Sequence, residues 1–159
     1  MRQTAKAFTL VEILIVVIIL GILAGVAIPN ISGVTEVSRE ANLKENLSKI
    51  RAYIQVYRNE HDGLPRGEQF AAQMTKYTNF EGEVNDIQTD KYRFGPYIEQ
   101  MPPNPVTKDY TIRTTDDPNT HKPPGDIDGG WWYNELTGAF YADLTDVHVD
   151  DQEIRYNRF

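Results

Sequence analysis

Phe8-Thr9-Leu10-Val11-Glu12-Ile13-Leu14-Ile15-Val16-Val17-Ile18-Ile19-Leu20-Gly21-Ile22-Leu23-Ala24-Gly25-Val26-Ala27-Ile28 is the stretch that decides how this chain is organised. From Ile13 to Ile28 no side chain carries a charge or a hydrogen-bonding group. Only Thr9 and Glu12 interrupt the longer run. At about 1.5 Å per residue a helix over these residues matches the roughly 30 Å hydrocarbon core of a bilayer. A chain of 159 residues is one domain's worth, with no room to cover such a helix on all sides. The stretch therefore reads as a membrane span or an export signal.

The flanks give it a direction. Residues 1–7 contain Arg2 and Lys6 and no acid. The positive-inside rule then puts the N-terminus in the cytoplasm and everything beyond Ile28 across the membrane. Acid accumulates at the other end: residues 76–159 hold 8 basic and 16 acidic side chains, a net of −8, within a whole-chain formal charge of −7. That balance argues against a nucleic-acid partner, which needs clustered positive charge. Cysteine is absent, which excludes disulfides, thiolate zinc sites and a cysteine nucleophile.

Three readings of the stretch compete. A secretory signal peptide would use Gly25-Val26-Ala27 as its cleavage site, but would hold Glu12 inside its apolar region. A simple signal anchor explains the length and leaves Glu12 without a reason. The third reading starts from Glu12. A carboxylate within a membrane helix costs about 2.5–3.5 kcal/mol at the centre, so it is retained for a purpose and needs a partner. Lys6-Ala7-Phe8-Thr9-Leu10-Val11-Glu12, followed by the apolar run, resembles the class III signal of type IV pilins and pseudopilins. The resemblance implies cleavage by a prepilin peptidase between Ala7 and Phe8, N-methylation of Phe8, and retention of the apolar helix. The family usually carries Gly where Ala7 stands. By the same resemblance, Glu12 is the fifth mature residue. It is placed to neutralise a neighbouring subunit's new α-amine, which offsets the burial of both charges. Gly21, Gly25 and Pro29, at four-residue spacing, read as a close-packing face of one helix. The resemblance adds that pilins usually carry Pro at the position of Pro29.

Beyond Ser32-Gly33 the pattern becomes amphipathic. Leu43, Leu47, Ile50, Ile54 and Tyr57 recur at helical spacing among charged residues and predict a soluble helix with one apolar stripe. Asn59-Glu60-His61-Asp62-Gly63 with Pro65 ends it. Further along, a short helix is expected over Glu68–Thr75 with Phe70 and Met74 inward, and a strand near Tyr110–Arg113. Thr114–Gly130 reads as a long surface loop. Trp131-Trp132-Tyr133-Asn134 and Ala139–Asp143 form the best hairpin, with Gly138 supplying a positive φ. The aromatic clusters Tyr92/Phe94/Tyr97 and Trp131/Trp132/Tyr133 read as cover for a small sheet.

His61, His121 and His148 have no metal-ligand spacing to one another, and no nucleophile motif or phosphate-binding loop is present. Catalysis is not expected, and neither is a cofactor. Calcium is the one candidate: Asp116, Asp117, Asp126 and Asp128 cluster before the hairpin, and hard oxygen ligands suit that ion. The resemblance implies the same, since major pseudopilins bind calcium in a C-terminal loop. The alternative is a plain acidic surface loop. Met101-Pro102-Pro103-Asn104-Pro105 is similar to the Leu-Pro-x-Asp-Pro run of major pseudopilins.

The expected fold is α+β and pilin-like, a long N-terminal helix packed on a small C-terminal antiparallel sheet. Residues 1–7 are the leader, 8–35 the transmembrane and assembly helix, 36–61 the amphipathic helix and 62–159 a periplasmic head. The resemblance implies a subunit of a type II secretion pseudopilus, anchored in the inner membrane and lying in the lipid bilayer before assembly. It polymerises into a helical filament with copies of itself and with minor pseudopilins, after the peptidase and on an assembly platform. A type IV pilin for adhesion, motility or DNA uptake is the alternative within the family. A membrane-anchored periplasmic binding module is the alternative outside it.

Overall fold

The computed structural model describes residues 9–150 and 152–159, with the backbone but not the side chains of residues 24–35. Helix α1, Leu10–Glu60, is the first element. The chain divides into two units, one ending at Ser38 and one covering Arg39–Phe159.

In the first unit the helix opens on a reciprocal cap. The Thr9 backbone N–H and hydroxyl both donate to Glu12 Oε2 at 2.9 Å, and the Glu12 N–H donates to Thr9 Oγ1 at 3.2 Å. A Thr followed three residues later by Glu is the capping-box spacing, which satisfies amide groups that the first helical turn leaves without partners.

The second unit, the head, is built on the far part of α1. Its predicted stripe is its core face: Leu43, Leu47, Ile50, Ile54 and Tyr57 are all at most 2% exposed. A 3-10 turn, Gly67–Gln69, leads into α2, Phe70–Thr75, which turns Phe70 and Met74 into the same core, as its spacing predicts. Strands β1, Tyr77–Thr78, and β2, Val84–Asn85, make a small antiparallel ribbon. The main sheet has the order β3-β4-β5, with β3 at Ile112–Thr115, β4 at Trp131–Asn134 and β5 at Phe140–Ala142. The chain ends in a 3-10 turn, Tyr156–Arg158.

The antiparallel sheet expected from the sequence is found for β4 and β5 and needs correcting at β3. That strand lies parallel to β4, with Arg113 opposite Trp132, so the sheet is mixed. The 116–130 connection is the reason: parallel neighbours need a crossover of about a dozen residues or more, and this loop is long enough to make one. The strand also starts later than the predicted Tyr110 and takes in Thr114 and Thr115, which the sequence pattern places in the loop.

The hairpin between β4 and β5 forms where predicted. Asn134 Oδ1 accepts the N–H groups of Leu136 and Thr137, and the Gly138 N–H donates to Asn134 O at 2.8 Å. Gly138 has φ 74°, and a Cβ there would stand 3.0 Å from Leu64 Cδ2, so the turn requires glycine for conformation and for space. Trp131, Tyr133 and Phe140 face the helix stripe and Phe70, with Phe70 and Tyr133 ring centroids 4.3 Å apart. The polar tips of the large rings are satisfied. Tyr133 donates to Pro65 O and Trp131 Nε1 to Pro102 O, both at 2.8 Å. Buried Gln73 is satisfied at both ends, accepting from the Arg66 N–H and donating to Gly82 O, each at 2.7 Å.

Candidate functional site

Two regions carry the functional expectations. The first is the apolar start of α1. Every large apolar side chain from Leu10 to Leu23 is between 50% and 83% exposed. A Cβ at Gly21 would meet nothing within 4 Å. A helix apolar all round is stable only in apolar surroundings. Glu12 is held in the helix-opening cap with Thr9, a local partner that the burial argument from sequence missed. The Thr-x-x-Glu spacing was the signal for it. The cleavage and methylation residues Ala7 and Phe8 lie outside the described residues, as do the side-chain roles expected of Gly25 and Pro29. Among the described residues no helix is long and apolar enough to cross a membrane.

The second region is the acidic loop before β4. The structure does not bring Asp116, Asp117, Asp126 and Asp128 together. Asp117 closes a turn, accepting from the Thr120 hydroxyl at 2.6 Å and from the Asn119 N–H at 3.0 Å. These donors hold its carboxyl below the usual carboxylate range. Asp116 is exposed. Asp126 accepts from Arg113 Nη1 at 2.9 Å, which lowers its pKa. Asp128 accepts from the backbone N–H and the hydroxyl of Thr145, both at 2.8 Å, and contacts His148 Nε2 at 3.1 Å. The Thr145 N–H is the main cause of its lowered pKa. Among the described residues, no group of three or more acidic or histidine side chains could hold a metal ion. Calcium prefers six to eight oxygens at about 2.3–2.6 Å. The four acids, each in its own surroundings, do not fit that ion.

Sequence reasoning also missed the roles of Arg113 and Asn104. Arg113 bridges Asp126 and the buried Asp143. Burial works against its charge, and the two carboxylates outweigh that effect and raise its pKa. Asn104 is fully buried in the proline-rich run. It donates to Gly130 O at 2.7 Å and accepts from the Val106 N–H at 3.0 Å, which fastens that run to the entry of β4. In the sequence it stands in the Met101–Pro105 run and carries the Asn-Pro turn signal, neither of which reveals its burial. The sequence places His61 in the loop that ends the helix. It is instead buried, stacked on Tyr57 at 3.8 Å and hydrogen-bonded to Tyr57 O and Thr78 Oγ1.

Residues 2–28 match the family described as the prokaryotic N-terminal methylation motif. The chain is 32% identical over 120 residues to the type II secretion system core protein G of Vibrio cholerae, covering 75% of this chain and 76% of that one. It is 27% identical over 110 residues to the core protein G of Klebsiella pneumoniae, covering 69% and 75%. A shorter match, 32% over 68 residues, is to the type IV narrow pilus major component PilA5 of Thermus thermophilus, covering 43% and 59%. No solved structure matches. Similarity to the core G proteins runs well past the N-terminal motif and into the head, and on that extent the chain belongs to the type II secretion system core protein G family.

Proposed function

We propose that the chain is the repeating structural subunit of a type II secretion pseudopilus, and that it works by polymerising and not by catalysis. The observation that carries this is the uncovered apolar surface of Leu10–Leu23 directly after a capped Thr9-Glu12 pair. Relatives named as type II secretion core protein G support it. In the precursor the helix of residues 8–35 lies in the inner membrane. The leader of residues 1–7 is cytoplasmic, and the head of residues 62–159, with the 36–61 helix, is periplasmic. Prepilin peptidase hydrolyses the Ala7–Phe8 bond, and the new Phe8 amine is methylated. In the filament, Glu12 takes the α-ammonium of a neighbouring subunit as its partner. Gly21, Gly25 and Pro29 line the helix–helix contacts. Burying each large apolar side chain against another helix is worth about 1.5–3 kcal/mol relative to water, so a shaft of such helices is held together strongly outside lipid. Minor pseudopilins and an assembly platform complete the list of partners.

The match to the narrow pilus component of Thermus thermophilus supports a second reading, a type IV pilin. Mass spectrometry of the protein from its native host tests the processing step, and a methylated Phe8 at the mature N-terminus is the expected result. A chain that still begins at Met1 in cells with active peptidase rejects it. Glu12→Gln should insert into the membrane and fail to yield filaments. A Glu12→Gln chain that assembles normally removes the charge-pairing role. Loss of exported enzymes in a deletion strain, with surface motility intact, separates the pseudopilus from the pilin.

A further inference from the structure

Arg113 ties three separate parts of the head together. It stands on β3. Its Nη2 donates to Asp143, just past the end of β5, and its Nη1 donates to Asp126 in the 116–130 crossover. The Asp143 side chain is 2% exposed, whereas that of Asp126 is 57% exposed. The approach is close. The Gly129 N–H donates to Asp143 O at 2.7 Å, and a Cβ at Gly129 would lie 3.3 Å from Asp143 Oδ2. Burial pushes the Asp143 carboxyl up and Arg113 pulls it back down. A carboxylate in such a place needs a positive partner. The planar fork of an arginine can serve two carboxylates at once, where a lysine offers a point charge. Arg113 Nε is buried and has no hydrogen-bond partner among the described residues, so the two acids alone orient the guanidinium.

We infer that Arg113 is the structural cation of this head: it neutralises Asp143 and clasps the crossover loop through Asp126, and the head folds without calcium. One oxygen of each nearby carboxylate is already engaged, Oδ1 of Asp126 and of Asp143 by Arg113 and Oδ1 of Asp128 by Thr145 and His148, and among the described residues no three acidic or histidine side chains converge on a cation site. The inference concerns the head alone and does not depend on what the apolar helix assembles with.

The test uses the full chain in detergent micelles, followed by scanning calorimetry in millimolar calcium chloride or in millimolar EGTA. The expected result is the same transition temperature in both, and no saturable heat when calcium is titrated into the chelated protein. A transition that drops by about 5 °C or more in EGTA, or a saturable calcium isotherm, overturns the inference. Arg113→Met is expected to lower the transition, and Arg113→Met combined with Asp143→Asn to recover part of the loss, because the buried charge is then gone. A double variant no better than Arg113→Met alone rejects the neutralising role. Should Arg113→Met fail to fold, Asp126→Asn carries the remaining arm. Faster proteolytic cleavage within residues 116–130 supports the clasp, and an unchanged cleavage rate refutes it.

Discussion

Two stretches of the same helix make opposite demands. Between Leu10 and Leu23 apolar side chains point in every direction and each is at least half exposed. Between Leu43 and Tyr57 the apolar residues form a single stripe, and each is at most 2% exposed because α2, β4 and β5 cover it. Both belong to one continuous α-helix. The difference lies in who supplies the apolar surroundings. The second stretch finds them in the head, while the first is at least half exposed, as the bilayer and filament contacts of the proposed function require. One element thus serves as the scaffold of a self-sufficient head and as an incomplete surface that calls for partners.

The sharpest way to break this contrast is to truncate one residue on each side of it. Leu47→Ala should destabilise the head by about 2–5 kcal/mol, since it leaves a cavity under the sheet. Scanning calorimetry should show the transition lowered accordingly. Leu14→Ala should leave that transition where it is and reduce filament yield instead. Equal losses of head stability from both would erase the distinction.

A second probe stays within the head. Gly138→Val forces a branched side chain into φ 74° and against Leu64. The left-handed backbone alone costs about 1–2 kcal/mol. The expected result is a lower guanidinium midpoint with the slope unchanged.

Titration separates the core from the loop. Burial raises the Tyr57 phenol from 10.0 to about 12, and moves Tyr97 and Tyr133 in the same direction. A folded-state pKa above the unfolded one gives stability that is fully present below the unfolded value. Head stability should therefore hold up to the ordinary phenol range and fall as pH rises toward about 12. Tyr57→Phe should flatten that fall in calorimetric runs. Asp126 and Asp128 have lowered pKa values, so their contributions are present above the ordinary carboxylate range and are lost as pH drops through their folded-state values.

The smallest effect is expected on the outer face of α1. Glu45 and Lys49 form an exposed ion pair one turn apart. Glu45→Gln should change stability by less than about 0.5 kcal/mol, and less still in high salt.

What could be read from the sequence follows from the range of each interaction. The Leu43–Tyr57 stripe and the Gly138 hairpin were legible because period and turn chemistry are local properties. The Thr9-Glu12 cap is equally local, and its Thr-x-x-Glu spacing is the mark it leaves in the sequence. The direction of β3 was not legible, since pairing to β4 depends on the path of a crossover whose residues encode no strand direction. The acidic loop shows the same limit. Spacing placed four aspartates near one another in the chain, but only the fold reveals that Arg113, Thr145 and Thr120 each engage a different one. The expected cleavage before Phe8 rests on family resemblance, whereas the helix contacts expected of Gly25 and Pro29 rest on their four-residue spacing, to which the resemblance adds only the proline.

Trp131 and Trp132 are the only indoles in the chain. They are neighbours on β4, pointing to opposite faces, each at most 2% exposed. Trp131 looks into the core and Trp132 lies beside Tyr141, with ring centroids 6.1 Å apart. Tryptophan emission, excited at wavelengths where tyrosine does not absorb, therefore arises from the middle of the head's main sheet. Its wavelength, and its resistance to quenching by acrylamide, form a label-free gauge of whether heads stay intact as subunits pass from detergent or bilayer into fibres.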